Sequence, residues 1–99
     1  MRLSSDQVQA IRQAALQVLG VGAQVRVFGS RAVGSNRGGD IDLFFETPTP
    51  LANRAKTLCQ LHSALTLALG ERKIDIVLKD ANTPAAPIFD IASRTGVLL

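Results

Sequence analysis

Apolar positions recur along the chain with two different periods, one helical and one alternating, and the switches between them mark out its elements. Between Ser4 and Leu19, the residues Val8, Ile11, Ala15, Val18 and Leu19 share one helical face. Ser4, with Gln7 three positions later, forms a capping-box pattern at the start of that helix, and Gly20 supplies its stop. From Gln24 to Phe28 the pattern alternates, with Val25 and Val27 facing one way and Gln24, Arg26 and Phe28 the other. This is the pattern of a half-buried strand, and it ends at Gly29.

Beyond a loop rich in glycine and arginine, Ile41, Leu43 and Phe45 alternate with Asp40, Asp42 and Phe44. Successive strand side chains point to opposite faces, so a second strand aims both acids at one face and its aliphatic positions at a core. Pro48 and Pro50 stop it. From Leu51 to Leu69 a stripe of Leu51, Leu58, Leu61, Leu65 and Leu69, closed by Gly70, predicts the longest helix. A third strand, Lys73 to Leu78, places Ile74, Ile76 and Leu78 on one side and Asp75 with Val77 on the other. Ala81 to Pro87 reads as a loop and Ile88 to Arg94 as a short helix, which Gly96 ends before the apolar tail Val97-Leu98-Leu99. The pattern contains no repeat and no linker. It predicts a mixed α/β (α+β) domain whose small sheet carries three acids on one face, with the two longer helices covering the other.

Composition narrows the class. The 99 residues fit one domain, residues 1–99, and with 46% apolar and 19% charged residues it can bury a core without disulfides or a structural metal. Cys59 is the only cysteine, so no internal disulfide forms, and neither it nor the lone His62 has zinc-type spacing. Cys59 reads as a small core hydrophobe and His62 as a flank residue of the long helix. The N-terminus carries no charged-then-apolar signal pattern, and no apolar run approaches the roughly 20 residues that cross a bilayer. A reducing, cytoplasmic setting with no membrane contact is expected. The net charge of +3 is spread along the chain, there is no Trp or Tyr, and the four Phe are not interleaved with basic residues. These features argue against a nucleic-acid platform.

Strands disfavour Asp, so acids at alternate positions of an otherwise apolar strand work against the fold and call for compensation. Same-face residues of a strand lie about 6.6 Å apart, close enough for two carboxylates to converge on one cation. Were Asp75 to join Asp40 and Asp42 from a neighbouring strand, the three charges would repel by several kcal/mol at an effective dielectric near 20. A divalent ion removes that repulsion, and an all-oxygen donor set favours Mg²⁺ or Mn²⁺ over zinc. Gly29 permits a tight turn and close backbone approach, while Ser30 can open a short helix whose free N–H groups attract phosphate. No G-x-x-x-x-G-K-[ST] run exists, and Gly20-Val21-Gly22 lacks the third glycine of a dinucleotide fingerprint. Arg26 shares the face predicted for the acids.

Taken together, Gly29-Ser30, a nine-residue spacer, Asp40-Ile41-Asp42, and Asp75 within Lys73-Ile74-Asp75-Ile76-Val77 form one ordered pattern. It resembles the DNA polymerase β-like nucleotidyltransferases, especially the minimal nucleotidyltransferase domains encoded beside HEPN-domain proteins, over roughly Val25 to Leu78. The resemblance implies that Asp40 and Asp42 hold two magnesium ions, that Asp75 completes the nucleophile-side metal and helps deprotonate the attacking hydroxyl, and that Gly29 and Ser30 cradle the triphosphate of ATP. It also implies that Arg31, and after it Arg37, neutralise phosphate charge. Gly39 and Val33 depart from the family pattern, which often has serine and arginine there.

The implied activity is AMP transfer from ATP to a hydroxyl, a tyrosine foremost, of a partner HEPN-type toxin, with the chain acting as antitoxin. A rival reading is a module that neutralises its partner by occlusion, using the apolar tail and leftover helix faces. Transfer to a small molecule or an RNA end is a third. Next to the larger relatives that use a helical domain for base or acceptor, the 99 residues are expected to draw those contacts from a partner or a second copy.

Overall fold

The computed structural model describes residues 4–28, 41–70, 74–84 and 86–99. In chain order they form α1 (Ser5–Leu19), β1 (Gln24–Val27), β2 (Ile41–Glu46), α2 (Arg54–Leu69), β3 (Ile74–Lys79), α3 (Pro87–Thr95) and β4 (Val97–Leu98). The fold is α+β, as the pattern predicts. Its mixed sheet runs β3-β2-β1-β4, with β1 antiparallel to both β2 and β4 and β2 parallel to β3. A parallel pair needs a crossover, and α2 provides it.

The capping box at α1 is formed in full: the Ser4 hydroxyl accepts from the Gln7 amide at 3.1 Å, and the Gln7 side chain accepts from the Ser4 amide at 2.8 Å. Both long helices end at glycines with positive φ, 89° at Gly20 and 86° at Gly70, a conformation in which a Cβ would be strained.

One face of the sheet, with Val25, Ile41, Leu43, Phe45, Ile74 and Leu78, packs against Ile11, Ala14, Ala15 and Leu19 of α1 and Leu61, Leu65 and Leu69 of α2. This is the main core. The alternation predicted for β2 and β3 holds residue by residue on this face.

Three features differ from the sequence reading. Helix α2 starts at Arg54, not Leu51, because the Asn53 side chain takes the Lys56 amide at 3.1 Å and so caps the helix there, while the Leu51 amide is held elsewhere. The tail does not hang free: Val97 and Leu98 pair with Val27 and Arg26 as an added edge strand. Cys59 is exposed, not a core residue, because it lies off the buried line of Leu61, Leu65 and Leu69.

Candidate functional site

Strand β2 alternates Ile41, Leu43 and Phe45 toward the main core with Asp42, Phe44 and Glu46 on the opposite face. Strand β3 does the same with Ile74, Ile76 and Leu78 against Asp75, Val77 and Lys79. The parallel register pairs Asp42 with Asp75, Phe44 with Val77 and Glu46 with Lys79. Two predicted acids from segments 33 positions apart in the chain therefore meet on one face, on strands about 4.8 Å apart. Asp42 is half-buried and Asp75 exposed. Like charges at directly opposed positions destabilise a sheet by a few tenths to about 1 kcal/mol, and a hard cation seated between them reverses the sign. The donor set and its register fit a divalent metal.

Antiparallel pairing brings the end of β1 to the same place. The Phe28 amide donates to the Asp42 carbonyl at 3.0 Å, one step beyond the Val27–Leu43 pair. Asp40, Gly29, Ser30, Arg31 and Arg37 lie outside the described residues, so the structure brings together Asp42 and Asp75 of the predicted set. Among the described residues no group of three or more His, Cys, Asp or Glu side chains is gathered for a metal.

Arg26, on the acid-bearing face, pairs with Glu46 at 3.4 Å, diagonally across β1 and β2. His62 is exposed on α2 and lines, with Leu58, Cys59, Ile74 and Ile76, a groove of about 420 Å³. That groove opens on the main-core side of β3, so His62 and the acids occupy opposite faces of the sheet.

Sequence reasoning missed two side chains that fix the far end of the sheet. Asp80 is 2% exposed and accepts from the Leu51 amide at 2.7 Å, the Thr83 hydroxyl at 2.6 Å and the Asn82 amide at 3.1 Å. The Thr83 and backbone hydrogen bonds, with help from nearby Arg54, hold its pKa below the ordinary value despite burial. Arg54 donates from Nη2 to the Leu78 carbonyl at 2.6 Å. The run Asp80-Ala81-Asn82-Thr83 carries an Asx-turn signal that points to the first of these; Arg54 has no such signal.

The acid-bearing face is also more apolar than alternation suggests. Phe28, Phe44 and Ala92 are buried there, with Val77 and Phe89 packed against them, and the Phe44 and Phe89 rings stack with centroids 5.9 Å apart and planes at 22°. Helix α3 supplies Phe89 and Ala92. The sheet thus has helices on both faces, two on one and the short α3 on the other.

Comparison with known proteins adds three findings. A family model described as a nucleotidyltransferase domain matches residues 8–95. Among solved structures, a chain of the crystal structure of a mutant of the toxin–antitoxin pair MntA-HpeT superposes with a TM-score of 0.67 at 21% identity, over 99% of this chain and 72% of that one. No curated protein matches the chain by sequence.

Proposed function

We propose, from the premise that this chain belongs to the nucleotidyltransferase-domain family, that it transfers AMP from ATP to a hydroxyl of a protein partner. The observation that carries the reading is the in-register pair Asp42–Asp75 on one sheet face, reached by the end of β1 through the Phe28–Asp42 hydrogen bond. Asp40, Asp42 and Asp75 would hold magnesium, which when bound supplies positive charge to the attacking and leaving oxygens. Gly29 and Ser30 would receive the triphosphate, and Arg31 would offset its charge. The acceptor oxygen bonds to the α-phosphorus, the bond from that phosphorus to the bridging oxygen breaks, and pyrophosphate leaves. Asp75 takes the hydroxyl proton.

The partner proposed is a HEPN-type toxin and the acceptor a tyrosine on it, with the chain as its antitoxin in the cytoplasm. The likeness to a chain of a toxin–antitoxin pair supports this direction. A second reading, neutralisation by occlusion, draws on exposed Ile88, Ile91, Val97 and Leu98, which leave apolar surface on α3 and β4.

The test incubates α-³²P-labelled ATP, Mg²⁺ and host lysate with wild type or Asp42→Ala. A protein band labelled by the wild type alone supports transfer, and its excision identifies the acceptor. No band from the wild type, with partner neutralisation intact in Asp42→Ala, favours occlusion.

A further inference from the structure

Each segment of the candidate site carries an apolar residue, one or two positions from its functional one, that enters the same small cluster. Phe28 directly precedes Gly29, Phe44 is the next same-face residue after Asp42, and Val77 is the next after Asp75. Phe28 and Phe44 form a buried cluster with Ala92 of α3, Val77 and Phe89 pack against that cluster, and the Phe89 ring stacks on Phe44. None of the main-core contacts made by α1 and α2 does this, because those lie on the other face of the sheet.

The geometry points to α3 as a clamp, with Phe89 as a positioning residue that fixes the acids of β2 and β3, Asp42 and Asp75, relative to each other. The inference rests on the functional reading above. Its physical basis is close packing: an aromatic ring stacked on Phe44 resists sliding of β2 against its neighbours, and interiors transmit small shifts because they have little free volume. Reacting groups tolerate little displacement, and a shift of about 1 Å can lower a rate by roughly 100-fold.

The experiment compares Phe89→Ala, Phe89→Leu and Phe89→Tyr with Leu69→Ala, a control in the main core on the opposite face. Conditions are chosen so that circular dichroism shows every protein folded. Amide chemical shifts of Asp42 and Asp75 are read in the metal-free protein, and Mn²⁺ affinity and transfer rate are then measured.

The expected result is a large shift change at both amides, weaker Mn²⁺ binding and a rate loss of roughly 10- to 100-fold for Phe89→Ala. Phe89→Leu should show a smaller loss and Phe89→Tyr near wild-type behaviour, with Leu69→Ala close to wild type at both amides. Equal effects of Phe89→Ala and Leu69→Ala would overturn the clamp and reduce Phe89 to general stability. If Phe89→Ala fails to fold, the same comparison is decided by Phe89→Leu. A wild type that binds no Mn²⁺ would overturn the functional reading as well, whereas binding kept by the wild type and every Phe89 variant but lost in Asp42→Ala, measured alongside them, would overturn only the clamp.

Discussion

Asp42 of β2 lies opposite Asp75 of β3 in the parallel register, so two carboxylates that the chain could have kept apart share one face of a small sheet. Like charges at opposed positions carry a cost in a sheet. The pairing makes sense if the positions are kept for what they bind, and it predicts that stability and activity respond in opposite directions to removal of one charge.

Asp75→Asn tests this. Without divalent metal the variant should be as stable as the wild type or up to about 1 kcal/mol more stable, because an opposed like charge is gone. Mg²⁺ at ten times its Kd should stabilise the wild type by about 1.4 kcal/mol and the variant by much less. AMP transfer should fall by at least about 100-fold. Thermal melts in EDTA and in Mg²⁺, beside the labelled-ATP assay, read all three.

Asp80 predicts a pH dependence whose sign follows from its environment. The Thr83 and Leu51 hydrogen bonds lower its pKa from 3.8 in the folded state. The folded chain therefore favours the ionised form, and this contribution is present above the unfolded value and is lost as pH falls through the lower folded one. Asp80→Asn should show a reduced urea midpoint at pH 7 and converge on the wild type as pH falls through the lowered folded value. Transfer per folded molecule should be unchanged at pH 7, since Asp80 follows the end of β3 away from Asp75. A constant gap between the two proteins at every pH would contradict the electrostatic account.

These residues also show what could be read from the chain and what could not. Period-two alternation was enough to put Asp42 and Asp75 on sheet faces away from the leucines of α2, and the Ser4–Gln7 spacing was enough for the start of α1. Both are local signals, fixed by geometry within a few residues. Strand register is not local, and that Asp42 faces Asp75 and not its neighbours needed the fold. The same holds for Leu51: its amide is taken by an acid 29 positions later, which moves the start of α2 to Asn53. Cys59 misled because the leucine stripe is narrower than the run that contains it. Phe44 sits at an alternating position that reads as the solvent side of β2, and only the short α3, folding back over that face, turns it into core. Asp40, Gly29, Ser30 and Arg31 remain readings of the sequence pattern.

Arg54 predicts a defect at the sheet edge. Lys79 gives its carbonyl to Thr47, so by alternation Ile74, Ile76 and Leu78 turn their backbone groups to the open side of β3. The Arg54 guanidinium covers the Leu78 carbonyl there. Arg54→Ala should cost about 1–2 kcal/mol for a hydrogen bond to a charged donor. It should also raise concentration-dependent association, because an uncovered edge is a template for pairing. Sedimentation velocity over a concentration series reads the second effect, and unchanged association would show that the guanidinium is not an edge guard.

Gly96 ties α3 to the sheet through space, not through backbone freedom. Its φ of −79° suits any residue, yet an added Cβ would run into the Ala92 carbonyl oxygen and lie 3.1 Å from the Arg26 Cβ and 3.3 Å from the Val27 carbonyl oxygen. Two of those neighbours are backbone atoms and cannot rotate away. Gly96→Ala should therefore cost about 1–3 kcal/mol by overpacking, and the strain must be relieved by moving α3 or β4 off β1. If α3 is the clamp on the acid segments, that displacement reaches Phe44 through Ala92 and Phe89. Gly96→Ala should then reproduce, at conditions where it stays folded, the Asp42 amide shift expected of Phe89→Ala. Spectra of the two variants recorded side by side would decide it: agreement at Asp42 means the helix position sets the site, and a shift confined to β4 means the strand alone absorbs the extra methyl.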